Sequence, residues 1–241
     1  MLTSPPASEE KTVRRVMAVK IELLKTACYF SKLDLAALED VSRFIFERKS
    51  PAGEIILQEG EEHKVLYFVI SGLLKLFAIS PEGREFIVRI VYGGDSINDD
   101  AIFGNGPNVL SAMSMSPVLL YGLRQQDLDR ILRAHYQVNS DIAEVFAARH
   151  RYLVRLATDL VFKNVTGRLA GLLLEREKLA RASTEELRIT QQEMASMIGT
   201  VREIVSRSLR DLEAMGAISL RHNQIIIIDR DQLRELSSSQ V

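Results

Sequence analysis

Arg202, Glu203, Ser206 and Arg207 lie within one short stretch of the C-terminal third of the sequence. In an α-helix, residues at this spacing occupy one face over two turns. An arginine side chain can donate two hydrogen bonds to guanine O6 and N7, and a glutamate can accept one from the amino group of cytosine. A solvated helix face with an ordinary Glu203–Arg207 ion pair is the alternative. The residue types favour contact with base edges.

Two helix-start signals surround these side chains. Thr190 and Glu193 have the spacing of a capping box, so a helix is predicted to begin at position 191 and to end at Gly199. Thr200 and Glu203 have the same spacing and predict the start of a second helix. Two helices joined by a three-residue turn that contains glycine are typical of a helix-turn-helix.

The apolar residues of this region support the same interpretation. The second helix is predicted to stop at Gly216, and residues 217–220 and 224–228 predict a β-hairpin wing behind it. The predicted apolar faces of the two helices comprise Met194, Met197 and Ile198, and Ile204, Val205, Leu209, Leu212 and Met215. The pattern predicts a winged helix-turn-helix.

The residues that precede this module predict a β-rich domain. A polar arm (residues 1–24) leads into a short helical segment, and from about residue 45 to 123 short β-rich runs alternate with Gly- and Pro-containing turns. Ser80-Pro-Glu-Gly83 is a typical hairpin turn. Strands of this length and spacing predict an antiparallel, jelly-roll-like β-roll. The expected fold class is therefore α+β.

A long helical segment is predicted between the two domains, within residues 125–163. Its apolar residues recur at intervals typical of a helix-to-helix seam, which predicts a dimer. Packing of this helix on the β-domain of its own chain is the alternative. The predicted seam residues are Ile142, Phe146, Leu153, Leu156 and Leu160.

Composition excludes several classes of protein. The net charge of −1 argues against binding nucleic acid by bulk charge, so any such contact must come from local placement. No apolar stretch is long enough to span a membrane and the N-terminus lacks a signal sequence, so a cytoplasmic location is expected. The single cysteine, Cys28, excludes an internal disulfide, a zinc ribbon and a [4Fe-4S] cluster. No catalytic motif is present, and an enzyme is not expected.

Four segments of the sequence resemble the Crp/Fnr family of transcription regulators. Residues 189–213 resemble the DNA-binding segment of that family, and residues 164–170 resemble its first DNA-domain helix. Residues 53–60 and 70–76 are similar to the opening strands of its cyclic-nucleotide-binding-type β-roll. The resemblance spans about residues 25–236. It implies a β-roll sensor domain (25–124), a dimerisation helix (125–163) and a winged helix-turn-helix (164–241) in a homodimer on palindromic DNA.

The resemblance also assigns roles to individual residues. Arg202, Glu203 and Arg207 would read bases, with Ser206 as a further reader, and RNA polymerase is an implied partner. The first three suit TGTGA-like half-sites, whereas Glu203, Ser206 and Arg207 suit TTGAT-like ones, and both remain open. Thr190 and Gln192 would contact phosphate. A winged module that binds protein instead of DNA is the alternative, supported by equal numbers of acidic and basic residues in 164–241.

The same resemblance argues against cAMP as effector. The Gly-Glu and Arg-Ser pairs that hold cAMP in the family correspond here to Asn98-Asp99 and Leu110-Ser111. Leu110 cannot neutralise a phosphate, and Asp99 would repel one if it lay close. The helix positions that would face the base, Leu153 and Val154, are apolar.

An apolar effector, haem, another metabolite or no effector at all therefore remain open. Haem would need axial ligands. The candidate ligands are Cys28, His63, His135 and His150, with Met113 as a weaker one. None of these residues has metal-ligand spacing to another, so no metal site is predicted.

Overall fold

A computed structural model describes residues 20–182, 189–221 and 224–238 of the chain. The chain forms two compact units. The first comprises the residues up to Leu76 together with Ile90–Ala148, and the second comprises Phe77–Arg89 together with the residues from Arg149 onward.

The fold is α+β, as the sequence predicts. Two four-stranded antiparallel sheets have the strand orders β1-β8-β3-β6 and β2-β7-β4-β5, and together they form the β-roll. The strands are β1 (Phe46–Ser50), β2 (Ile55–Leu57), β3 (Val65–Ser71), β4 (Leu74–Ile79), β5 (Glu85–Val91), β6 (Ser96–Ile97), β7 (Ser111–Ser114), β8 (Val118–Arg124), β9 (Ile218–Arg221) and β10 (Gln224–Ile227). The helices are α1 (Leu35–Ser42), α2 (Asp99–Gly104), α3 (Gln125–Ala134), α4 (Gln137–Phe162), α5 (Val165–Ala182), α6 (Gln191–Ile198), α7 (Arg202–Ala214) and α8 (Arg230–Ser238).

The central strand β3 separates two apolar layers. Tyr67 and Val69 point into the interior of the roll, where they pack with residues from both sheets. Leu66 and Phe68 point to the opposite face and pack against the helical layer formed by residues 20–45 and α3. Since successive side chains of a strand alternate between faces, a strand buried on both sides is apolar throughout.

The hairpin turn predicted at Ser80–Gly83 is present. The Ser80 backbone N–H donates to the carbonyl of Arg84 at 2.9 Å, and Gly83 has a φ of +81°. A residue with a side chain rarely adopts this left-handed conformation, so glycine is the residue that closes the turn between β4 and β5.

The helical region at 125–163 comprises two helices, α3 and α4, instead of one. His135 has φ −128° and ψ 74°, which are not helical values, so the helix is interrupted between α3 and α4. The His135 imidazole lies 3.0 Å from the carboxylate of Asp40 in α1.

Of the helices in the described ranges, none combines the length and the apolar character needed to cross a membrane.

The second unit has its own apolar core, to which α5, α6, α7 and α8 each contribute. Leu169 and Leu173 of α5 pack with Met194 of α6, Leu209 of α7 and Leu233 of α8, and all five are buried. This core fixes α7 from behind and leaves its opposite face to solvent.

Candidate nucleic-acid interface

Helix α6 begins and ends where the sequence predicts. The Thr190 hydroxyl accepts from the Glu193 backbone N–H at 3.2 Å, and the Glu193 carboxylate accepts from the Thr190 backbone N–H at 2.7 Å. This reciprocal pair satisfies backbone donors that a helix start otherwise leaves open. Gly199, with φ +66°, ends the helix.

Helix α7 begins without the second capping box, and that prediction is wrong. The N-cap is Val201, which makes no side-chain cap bond. The backbone N–H of Thr200 donates to the carbonyl of Ala195 at 2.9 Å. Thr200 therefore still belongs to the C-terminal turn of α6 and cannot cap the next helix. The predicted end at Gly216, with φ +78°, is confirmed.

The predicted base-reading side chains lie together on the first two turns of α7. Arg202, Glu203 and Arg207 are exposed, and Ser206 is half-buried. Within the part of the chain that the structure describes, the side chains of Arg202, Glu203 and Arg207 have no hydrogen-bond or ion-pair partner. The Glu203–Arg207 pair of a solvated face is therefore not formed, and these donors and acceptors are open to a ligand.

The opposite face of α7 anchors it to the module. Val205, Leu209 and Leu212 are buried, as predicted. Ile204 and Met215, predicted for the same face, are 38% and 44% exposed. Ile204 precedes the buried row by one residue, a rotation of about 100°, and Met215 lies beyond the last helical residue.

The wing is present as the antiparallel pair β9 and β10, with Gln224 opposite Arg221. The Glu213 carboxylate of α7 accepts from the backbone N–H of Leu220 at 2.7 Å and so ties the wing to α7. His222 and Asn223, which form the predicted turn together with Arg221, lie outside the described residues.

The two predicted phosphate-contacting residues, Thr190 and Gln192, are exposed at the start of α6. The Thr190 hydroxyl donates to the Glu193 carboxylate at 2.8 Å, so its proton is already engaged. The side chain of Gln192 projects from the first turn of the helix, where backbone N–H groups favour an anion.

Arg168 of α5 holds two helix ends together and was not singled out from the sequence. Its Nε donates to the carbonyl of Ile198 at 2.9 Å, and its Nη1 donates to the carbonyls of Lys163 at 2.6 Å and Leu160 at 3.4 Å. The carbonyl ends of α4 and α6, which carry partial negative charge, thus converge on one guanidinium. Only the folded chain reveals this contact, because its acceptors are backbone atoms.

In the β-roll, the effector-pocket candidate Asp99 belongs to a buried hydrogen-bond network. Its carboxylate accepts from the hydroxyl of Tyr29 and, at 2.7 Å, from that of Ser96. The Cys28 thiol lies 3.4 Å from the Ser96 hydroxyl. Asp99, Ser96 and Tyr29 are buried, so the network fastens the N-terminal helical segment to the roll.

The other effector-pocket candidates lie at the start of β7 and on α4. Leu110 is half-buried, and the Ser111 hydroxyl accepts from the Glu59 backbone N–H at 3.1 Å. Leu153 and Val154 of α4 are each 49% exposed.

The candidate haem ligands lie in different elements of the chain. The His63 ring stacks on Tyr67 with centroids 5.6 Å apart, and burial together with nearby Arg48 lowers the pKa of His63. His150 is exposed on α4, and Cys28 lies in the network described above. Among the residues with described positions, no three His, Cys, Asp or Glu side chains are grouped so that they could hold a metal ion.

The predicted seam residues of α4 face largely toward the protomer itself. Ile142 packs against the helical core, and Phe146 meets Phe103 of α2 with ring centroids 5.7 Å apart. Leu156 and Leu160 are half-buried, and only Leu153 is exposed. A different row faces solvent, at alternating intervals of four and three residues, and we call it the exposed α4 row: Ala143, Ala147, His150, Val154, Ala157 and Val161.

These features define a regulator that joins a β-roll sensor to a winged helix-turn-helix. Residues 47–135 match the family model of the cyclic nucleotide-binding domain, and residues 167–236 match that of the Crp-like helix-turn-helix domain. The chain belongs to the Crp/Fnr family and is a DNA-binding transcription regulator.

Similar proteins agree with this assignment over nearly their whole length. A CRP-like cAMP-activated global transcriptional regulator of Mycobacterium tuberculosis is 29% identical over 219 residues, covering 88% of this chain and 97% of the relative. The solved structure of a CRP/FNR-family transcriptional regulator of Thermus thermophilus has a TM-score of 0.65 and 28% identity, covering 81% of this chain and 100% of that one. The c-di-GMP-responsive regulator CLP of Xanthomonas campestris shares the fold, with a TM-score of 0.72 and 22% identity. The match covers 80% of this chain and 99% of that one.

Proposed function

We propose that the chain acts as a homodimer on a palindromic DNA site and reads each half-site with Arg202, Glu203, Ser206 and Arg207 of α7. The observation that carries this proposal is the exposed, unpartnered row of charged side chains on the first two turns of that helix. The N-terminal turns of a recognition helix are the part that enters the major groove in such modules. We further propose a cytoplasmic location and contact with RNA polymerase, since the relatives regulate transcription.

The exposed α4 row supports the homodimer. Its alternating spacing of four and three is that of the core positions of a two-stranded coiled coil. Alanine at Ala143, Ala147 and Ala157 lets two helices approach closely, and Val154 and Val161 add apolar area. A second copy of the same helix satisfies this pattern, because a two-fold interface sets each residue near its own equivalent.

Replacement of Arg207 by alanine tests the reading of bases. We expect Arg207→Ala to reduce the affinity for a palindromic duplex by roughly 1–3 kcal/mol and to relax the preference at one base pair. Fluorescence anisotropy on TGTGA-type, TTGAT-type and scrambled duplexes measures both quantities. Specific binding that survives unchanged in Arg207→Ala on both palindromes contradicts the proposal.

Arg210→Ala is the matched control for that experiment. Arg210 is an exposed arginine of the same helix, one turn further on, and its Nε donates to the carbonyl of Ser206 at 3.3 Å. Its loss removes the same charge from α7 outside the proposed base-reading turns. We expect any weakening to be equal on all three duplexes, since a charge outside the base-reading turns acts on the phosphate backbone, which carries no sequence information.

The proposal for the sensor is that cAMP is not the effector. The Mycobacterium tuberculosis relative is named as cAMP-activated, but here Leu110 stands where a cation is needed, and Asp99 is committed to Tyr29 and Ser96. A cyclic phosphate would therefore meet no compensating charge at these positions.

Addition of cAMP gives a direct test of this difference. We expect saturating cAMP to change the affinity of the chain for its palindromic duplex by less than about twofold, a free-energy difference below about 0.4 kcal/mol. The same anisotropy titration with and without cAMP measures it, with c-di-GMP as a parallel ligand. A large increase in affinity on adding cAMP would overturn this part of the proposal.

A further inference from the structure

A cleft of about 460 Å³ lies within the second unit, beside the C-terminal half of α4. Its apolar lining includes Ile87 of β5, Leu156 of α4, Leu172 of α5 and Met197 of α6. Pockets for small molecules have volumes of this order, and here eight of the eighteen lining residues are charged. The α4 residues that line the cleft lie on a different face from the exposed α4 row, so the proposed second copy leaves it open.

The charges around the cleft are unequal, with five cations against three carboxylates. Three of the cations are already paired. Lys163 lies 2.8 Å from Asp159, and Arg230 contacts both carboxylate oxygens of Glu177. Arg234 pairs with Asp231.

The two remaining cations are Arg155 and Arg168. Neither has a carboxylate partner within ion-pair distance among the described residues. Arg168 donates three hydrogen bonds to backbone carbonyls through Nε and Nη1, and these leave its Nη2 without a described acceptor. Burial lowers the pKa of Arg168 from its ordinary value, and nearby Asp159, which pairs with Lys163, offsets this effect only in part. Glu175 is the one lining carboxylate without an ion pair among the described residues. Its negative charge only partly opposes the binding of an anion.

We propose that this cleft binds a small organic anion, with its acidic group on Arg168 and Arg155 and its apolar body over Leu156, Leu172 and Met197. The inference rests on the proposed function for its regulatory meaning and adds an effector site outside the interior of the β-roll. A partly desolvated guanidinium without a carboxylate in ion-pair contact gains more from an anion than an exposed one does.

The position of Arg168 suggests how such a ligand would affect DNA binding. The same guanidinium joins the C-terminal ends of α4 and α6, and α6 is the first helix of the helix-turn-helix. An anion on Nη2 would fix the orientation of the guanidinium between both helix ends while the reading face of α7 stays exposed. We expect the bound form to have the higher affinity for DNA.

Gly171 offers a substitution that fills the cleft without disturbing its walls. It lies in the interior of α5 and lines the cleft, and an added Cβ would meet only Ser237, with a Cβ–Cβ distance of 3.8 Å. A leucine at this position extends into the space that the ligand needs. Gly171→Ala is the matched control, since it adds one methyl group and also favours the helix.

The experiment uses the full chain and two fluorescent probes. One is 8-anilinonaphthalene-1-sulfonate, an apolar anion, and the other is N-phenyl-1-naphthylamine, which has the same rings without the sulfonate. We expect saturable binding of the anion at one site per protomer, about tenfold weaker binding in Gly171→Leu, and a change within about twofold in Gly171→Ala. In Arg155→Gln we expect the anion to bind at least about threefold more weakly and the neutral probe to bind as before.

The outcomes separate the site from its regulatory role. Anion binding to Gly171→Leu at wild-type affinity, or equal weakening of both probes in Arg155→Gln, would overturn the site. If Gly171→Leu lost cooperative thermal unfolding, Arg155→Gln would decide the question alone. We expect the saturating anion to tighten specific DNA binding about threefold in the wild type and not in Gly171→Leu. Probe binding as expected without any sequence-specific DNA binding would leave the site standing and refute the proposed function.

Discussion

Ala147→Glu is expected to leave the chain monomeric and to reduce its affinity for a palindromic duplex roughly 100-fold. Ala147 is the second residue of the exposed α4 row, and in a two-fold interface it lies close to its own equivalent. The substitution would bring two carboxylates close to each other in the interface and remove them from water, which is costly. Sedimentation velocity measures the oligomeric state, and anisotropy on the duplex measures the affinity.

Ala148→Glu is the control because it places the same side chain one residue further along α4. Ala148 is also exposed, but a rotation of about 100° carries it out of the row. We expect this variant to remain dimeric and to bind DNA within about twofold of the wild type. A dimeric Ala147→Glu, or equal dissociation of both variants, would show that the interface lies elsewhere.

The seam of α4 illustrates what apolar periodicity can predict. The pattern selects the largest apolar residues, and Ile142 and Phe146 cover the β-roll unit of their own protomer. The exposed row is built from smaller residues, which give a weaker signal. Periodicity identifies a buried face of a helix, but it carries no information about whether the same chain or a second copy buries it.

The helix-turn-helix was predictable because local chemistry defines it. The capping pair Thr190 and Glu193 and the left-handed glycines Gly199 and Gly216 each lie within a few residues of the helix end that they fix. The wrong prediction of a cap at Thr200 also has a local cause. The signal for the end of α6 and the signal for the start of α7 overlap at this residue, and Thr200 belongs to the turn that closes α6.

The contacts between distant parts of the chain could not be predicted in this way. Tyr29 and Asp99 are 70 residues apart in sequence, and the Arg168–Ile198 contact spans 30 residues. No spacing rule connects a tyrosine with an aspartate so far away in sequence. A backbone carbonyl acceptor is present in every residue, so the residue types do not identify it. The fold class follows from the order of the elements, whereas these contacts follow only from how the elements pack.

Asp99→Ala is expected to lower the free energy of unfolding by about 2–5 kcal/mol. The substitution removes the acceptor of two buried hydroxyls, those of Tyr29 and Ser96, and leaves a small cavity. Folded domains are stable by only about 5–15 kcal/mol, so the loss is a large fraction of the total. Urea denaturation of the full chain, followed by the tyrosine fluorescence of the first unit, measures the change.

Asp100→Ala provides the comparison, because Asp100 is the adjacent acid and is exposed. We expect its effect to stay within about 0.5 kcal/mol, as for other surface substitutions. Asp99→Asn should fall between the two, since an amide oxygen still accepts one hydrogen bond but carries no charge. If Asp99→Ala were as stable as Asp100→Ala while ligand binding in the roll was lost, Asp99 would be an effector contact. The hydrogen bonds to Tyr29 and Ser96 favour the structural role, in which Asp99 fastens the N-terminal segment to the roll.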